Sequence, residues 1–368
     1  MFKKFQNLFF VLLLTAIGFI SGILGALYIE NNLLELNTVY DKYIQTNNVY
    51  QKKELIFSNN NKINFSIDYF RRNIVGIIKR KKGTANLLNN FYSQKDIIGY
   101  GFVLTDDGWI IVLDDNINKE KNSDLAIINN NQIFYFQKKV LDPCTGILFL
   151  KVETKGKKLS TIKLGDSDKI KLLDDLMSVD LFGNAFEGKI INTGSLKNFI
   201  QSSEKLDKRI IIDKSVNLGL PFVNQYGEII GIVSQKNKNY SELIPVNYFK
   251  NKINNVLMAD GLKRIFLGVN YIDSSEFFYS NKITDGNEPL KGDLIYALQK
   301  SEAIKSKSPA EKAGLKYNDL ILSVEDEDLG INKSLNEIIQ EYKIGSEIEL
   351  KILRKGKIKK IKVVLDEL

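Results

Sequence analysis

The chain of 368 residues contains no histidine and only one cysteine. Without histidine it lacks the usual general base near neutral pH and the commonest metal ligand. Cys144, alone, can neither close an internal disulfide nor supply a thiolate cluster for zinc. No cofactor is implied. Also missing is any basic block interleaved with aromatics. The 52 basic and 44 acidic residues leave a charge of +8, but it is spread in short KK and RKK runs, which reads as a solvated surface and excludes nucleic acid as a partner.

What is present describes a folded protein: 44% of the residues are apolar and 26% charged. The length predicts two or three cores. Residues 8–29 (LFFVLLLTAIGFISGILGALYI) carry no charge and follow Lys3 and Lys4. At about 1.5 Å per residue a helix of this length crosses a ~30 Å hydrocarbon core. We expect an uncleaved transmembrane signal anchor, with residues 1–7 cytoplasmic and everything after Glu30 outside. A cleaved signal peptide is the alternative, although Leu24-Gly25-Ala26 is a poor cleavage site. Gly18 and Gly22 form a GxxxG spacing, which in so short a motif is weak support for helix pairing.

Residues 30–66 are polar, rich in asparagine, and read as a stalk: a short amphipathic helix (Leu33, Leu36, Tyr40, Tyr43) followed by a loop. From 67 to 258 the pattern changes to short strands broken by turns, at 74–78, 98–104, 109–113, 132–136, 147–152, 176–181, 189–193, 209–212 and 229–234. Thr105-Asp106-Asp107-Gly108 is a hairpin turn. Many closely spaced strands with few helical stretches predict a mainly β fold, a barrel or a sandwich.

Four segments in this region resemble the HtrA/Deg type of trypsin-like serine protease. Residues 99–117 (GYGFVLTDDGWIIVLDDNI) resemble its G-S-G-F strand, D-G turn and strand ending T-N-x-H. Residues 142–152 (DPCTGILFLKV) are similar to D-P-x-T-D-L-A-V-L-K-V, and 164–171 (LGDSDKIK) to L-G-D-S. Residues 217–232 are similar to N-S-G-G-P-L-V-N…G-E-V-I-G-I. The resemblance implies a double β-barrel over 67–258. By the same alignment the catalytic histidine position falls on Asp115, the aspartate on Gly146 and the serine on Leu218, with Val216 in place of an oxyanion-loop glycine. Serine attack needs a proton acceptor, a group that orients it, and N–H donors for the developing charge. The expectation is therefore a pseudoprotease, not an enzyme. As a replacement nucleophile Ser215 is disfavoured, because Lys214 beside it faces the opposite side of an extended chain. Cys144 has no evident basic partner.

Residues 264–368 resemble the PDZ domain that follows such barrels. The family pattern L-G-V, then S-P-A-x-x-A-G-L-x-x-G-D-x-I-L, is matched by Leu267-Gly268-Val269 and by 308–324 (SPAEKAGLKYNDLILSV), with Asn318 in place of a glycine. A helical stretch at 335–342 and strands at 348–353 and 358–365 complete an α+β domain. The resemblance implies capture of an extended peptide as an added strand, its carboxylate held by loop N–H groups. That loop is Phe266, Leu267, Gly268 and Val269. The pairing edge runs on through Asn270, Tyr271 and Ile272, and Leu335, Ile338 and Ile339 wall the last side chain. Residues 274–290 and 300–307 are longer than the family has here and are candidates to cover the groove.

The sequence thus predicts a single-pass protein of the bacterial cell membrane, its bulk extracytoplasmic. Its PDZ domain would bind peptides or protein C-termini, as an adaptor or sensor in envelope protein quality control. The resemblance also implies a homo-trimer or a hetero-oligomer with an active HtrA relative. An active endopeptidase with a non-standard nucleophile and a purely structural envelope scaffold are the alternatives.

Overall fold

The computed structural model of the protein describes residues 67–81, 91–114, 117–194, 199–258, 262–274, 292–329 and 333–368. The expected anchor (8–29) and stalk (30–66) lie outside these residues. Among the described residues no helix is long and apolar enough to cross a membrane.

Helix α1 (Ile67–Asn73), not expected from the sequence, leads into a six-stranded closed barrel. Its strands are β1 (Ile74–Lys79), β2 (Ile97–Val103), β3 (Trp109–Leu113), β4 (Leu125–Asn129), β5 (Gln132–Leu141) and β6 (Ile147–Val152). They pair in the order β1-β2-β3-β6-β5-β4. Strand β3 is apolar at every position for a reason its twofold alternation makes plain. Ile110 and Val112 fill this barrel's interior, whereas Trp109 and Ile111 face outward into a second core. Phe102, Phe149 and, from α1, Phe70 join that second core, each fully buried.

The second core is shared with another closed barrel, β10-β13-β12-β11-β7-β8. Its strands are β7 (Asp175–Val179), β8 (Ala185–Gly194), β10 (Arg209–Ile212), β11 (Pro221–Val223), β12 (Ile229–Lys236) and β13 (Ser241–Pro245). The sequence reading missed β4 and β13. Both barrels close on themselves, so neither exposes a free sheet edge. Two short helices, α2 (Asn247–Lys250) and α3 (Ile253–Met258), follow.

The C-terminal part packs α4 (Pro309–Lys312) and α5 (Leu335–Ile339) on a sheet ordered β20-β19-β17-β16-β15-β9, with β18 added beside β17. These strands are β15 (Asn270–Asp273), β16 (Asp293–Ile295), β17 (Leu320–Val324), β18 (Glu327–Asp328), β19 (Glu347–Arg354) and β20 (Lys357–Val364). A small ladder joins β14 (Ile265–Phe266) to β21 (Asp366–Glu367). Ser334 and Glu337 form a capping box at the start of α5. The helix ends at Ile339, earlier than the periodicity to Tyr342 suggests. Asn318 takes a φ of 67°, and Asp319 after it holds Arg354 through two 2.6 Å hydrogen bonds.

The remaining strand of that sheet is the unexpected one. Strand β9 (Gln201–Ser202) lies between β8 and β10 in the chain, yet it pairs with β15. The second barrel lends its neighbour an edge strand.

Candidate functional site

Two places need description: the barrel positions where the resemblance puts a triad, and the loop at 266–269. Asp115 lies outside the described residues. Asp114, just before it, donates its backbone N–H to Gly146 O at 2.9 Å. Leu218 is half-buried against the core shared by the two barrels. Beside it Gly219 has a φ of +81°, and a Cβ there would sit 2.0 Å from Tyr100 O. Only glycine allows the corner to pass this close to β2. The backbone N–H of Val216 donates to Ser241 Oγ at 2.9 Å, so it does not point into open space. Ser215 Oγ donates to Asn237 O at 2.6 Å. Cys144 is 8% exposed, and burial pushes its thiol up to about 12. Among the described residues no group of histidine, cysteine or carboxylates is placed to hold a metal.

The 266–269 loop is shaped by the start of α4. Ser308 caps that helix, accepting from Glu311 N–H at 3.1 Å, and Ala310 N–H donates to Leu267 O at 3.0 Å. Gly268 has a φ of +87°, and a Cβ on it would meet Ser308 Cβ at 2.3 Å. The loop therefore needs glycine to bring its amides round to one point.

Those amides are already engaged. Gly268 N–H donates to Glu204 Oε1 at 2.8 Å and Leu267 N–H to the same oxygen at 3.3 Å. Val269 N–H donates to Ser203 Oγ at 3.0 Å, and Ser203 N–H returns a bond to Val269 O at 2.9 Å. The ladder continues antiparallel, Ser202 opposite Asn270 and Gln201 opposite Tyr271, whose hydroxyl donates to Gln201 Oε1 at 3.1 Å. Lys305 Nζ donates to Glu204 Oε2 at 2.8 Å and lies 5.4 Å from the centre of the Phe266 ring. Ser202 Oγ donates to the same carboxylate oxygen at 2.9 Å, and Ser203 Oγ to Oε1. Glu204 is only 4% exposed. Burial alone would raise its carboxyl, but the Lys305 ammonium, the Ser203 hydroxyl and the Gly268 N–H outweigh it and hold the group below the usual glutamate range.

The expected pairing edge at Asn270, Tyr271 and Ile272 is therefore already occupied, a point the sequence left open. What lies on it is β9 from the barrel. Of the two segments proposed as covers, 300–307 also lies against this stretch, with Val269 bridged to Ile304, Asn270 N–H donating to Ala303 O at 2.8 Å and Lys305 N–H to Gly268 O at 2.9 Å, whereas 275–291 lies outside the described residues. Leu267, Val269, Tyr271, Leu335, Ile338 and Ile339 are all buried in the domain's own core, whereas Phe266, Asn270 and Ile272 are partly exposed. The sequence reading missed residues 201–204 and did not single out Lys305 within 300–307.

Around this ladder the barrel and the last domain are tied by polar contacts. Asn336 Nδ2 donates to Lys205 O, Tyr248 Oη donates to Glu337 Oε1 at 2.8 Å, and Lys208 pairs with Glu337 at 3.0 Å. Deepest is Arg264, whose guanidinium grips Asp142 through both carboxylate oxygens and also donates to Tyr248 O at 2.8 Å. Both side chains are essentially inaccessible, at 1% and 0%.

Comparison with known proteins matches residues 268–365 to the PDZ domain family. A probable periplasmic serine endoprotease, DegP-like, from Pseudomonas putida strain W619 is 26% identical over 320 residues, covering 81% of this chain and 60% of the relative. The chain thus spans about three fifths of the length of the DegP-like relatives it matches. The serine endoprotease DegS of Haemophilus influenzae is 24% identical over 312 residues, covering 80% of this chain and 84% of the relative. Among solved structures, the HtrA-type protease AlgW with decapeptide covers 83% of this chain and 99% of its own, at 17% identity and a TM-score of 0.57, which shows the shared fold. The chain thus carries a PDZ domain after two closed β-barrels, shares the fold of HtrA-type proteases, and is similar in sequence to serine endoproteases of the DegP and DegS kind.

Proposed function

We propose that the protein is a catalytically inactive, membrane-anchored member of this family. It works on the outer side of the bacterial cell membrane by capturing extended peptides in its PDZ groove. The observation that carries the reading is the loop at 266–269: two of its N–H groups converge on one carboxylate oxygen while β15 pairs with an extended chain. A groove that holds a carboxylate and a strand together has the chemistry of peptide capture. The relatives named periplasmic endoproteases support the extracytoplasmic placing, and the uncharged run at 8–29 supports the anchor.

Inactivity is supported by the chemistry left in the barrel. The chain contains no histidine, the serine position is Leu218, and Val216 N–H is bonded to Ser241. The candidate substitutes are committed elsewhere, the Ser215 hydroxyl to Asn237 O and the Cys144 thiol to its buried, protonated state. The test uses the purified full chain in detergent. Casein remains intact over the pH range in which the fold persists, while peptides with free C-termini and no acidic side chain bind and lose binding when amidated. Casein fragments that vanish with Ser215→Ala or Cys144→Ala would instead restore the enzyme. The occupied groove favours a second reading, a closed structural scaffold, which predicts no peptide binding under any condition.

A further inference from the structure

We propose that residues 201–204, Gln-Ser-Ser-Glu, are a built-in ligand of the PDZ groove, and that the groove opens to any extended chain that presents a carboxylate in place of Glu204. This rests on the peptide-capture reading above and names what competes for the same site.

The segment imitates a bound peptide in three respects. It runs antiparallel to β15, with Ser202 opposite Asn270 and Gln201 opposite Tyr271. It ends on the loop, where the Glu204 carboxylate takes the N–H groups of Leu267 and Gly268. A cation completes the seat, with Lys305 Nζ 2.8 Å from the second carboxylate oxygen. This carboxylate belongs to a side chain, and the main chain runs on to Lys205, so the seat accepts a glutamate in mid-chain. The ligand class that follows is a carboxylate preceded by an extended run, whether from a chain end or from an internal acidic residue.

The composition of the segment also suits exchange. Its four residues are polar, so hydrogen bonds and charge hold it in the groove rather than apolar side chains of its own. Those contacts are of the kind a competing peptide replaces one for one. Two residues on, Leu206 is 2% exposed and belongs to the barrel core. The segment can therefore leave while its root stays fixed.

The test uses the full chain in detergent and peptides with the sequence of residues 199–204, FIQSSE, blocked at the N-terminus. One arm keeps only the terminal carboxylate (FIQSSQ, free acid), one keeps only the side-chain carboxylate (FIQSSE amide), and a control has neither (FIQSSQ amide). Both carboxylate peptides should bind the wild type weakly and Glu204→Ala about ten- to a hundredfold more tightly, because the competent state no longer has to be freed first. The control should bind neither. A second variant closes the groove. Ser202 and Asn270 are directly opposed, at a Cα separation of about 4.5–5.5 Å for such pairs, which a disulfide spans. Ser202→Cys/Asn270→Cys should lose binding when oxidised and regain it with reductant. Amide exchange gives a readout without ligand: Gly268 N–H should be protected in the wild type and exchange freely in Glu204→Ala. If Gly268 N–H is unprotected in the wild type, or if both variants bind as the wild type does, the built-in ligand is refuted while peptide capture stands. If no carboxylate peptide binds a folded Glu204→Ala protein, the capture reading itself fails.

Discussion

The Asp142–Arg264 pair permits a quantitative prediction, because neither group reaches water and each holds the other with two bonds. Asp142→Asn leaves a guanidinium buried with Tyr248 O and a neutral amide in place of a carboxylate. Removing one partner of such a pair costs about 3–5 kcal/mol. At about 2 °C per kcal/mol for a chain of this size, the thermal midpoint should fall by roughly 6–10 °C. Circular dichroism melts of the wild type, Asp142→Asn, Arg264→Met and the double variant supply a complete cycle. The double variant should be more stable than the sum of the singles by at least about 1 kcal/mol, since no buried charge remains unpaired in it. Strictly additive losses, or a shift below about 2 °C for Asp142→Asn, would refute the claim that this pair joins the barrel to the PDZ domain.

Gly268→Ala should cost about 1–3 kcal/mol and abolish peptide binding, because a Cβ in that left-handed conformation collides with Ser308; melts and titration of the free-acid peptide measure the two effects. Cys144 should resist iodoacetamide in the folded protein and react only in denaturant, since burial keeps its thiol protonated; mass spectrometry reads the adduct, and rapid labelling of the native chain would contradict the burial. The contact of Glu204 with the loop should depend on pH. Its carboxyl is held below the ordinary glutamate value when seated, so the contact is fully present above that value and is lost as pH falls through the lowered one. The protection of the Gly268 amide, its exchange measured against a free amide at the same pH, should therefore fall in acid below the usual carboxylate range, and unchanged protection there would count against the seat.

Much of the fold was legible because its signals are local. The Thr105–Gly108 turn and the apolar run of β3 announce a hairpin, and Gly268 and Asn318 stand where the backbone turns left-handed. Strand β13 escaped because its Ser-Glu-Leu-Ile-Pro carries two polar residues and a proline, although every position is buried inside a closed barrel. Helix α1 escaped because Phe70 alone among its apolar residues is fully buried, which is too little for a helical period to show. Strand β9 is a different case. Gln201 and Ser202 have neither strand propensity nor alternation, and their partner in the ladder lies far along the chain. No window of sequence contains both halves of that pairing, so the occupied groove could be seen only in three dimensions.

The lent strand has a consequence for how the C-terminal domain can be studied. Expressed by itself from about residue 260, that domain would lose β9 and show solvent a bare row of N–H and C=O groups along β15, a template for self-association. An affinity measured on the fragment would then describe a receptor stripped of its resident competitor, and would overstate the grip of the intact protein by whatever factor the competitor imposes.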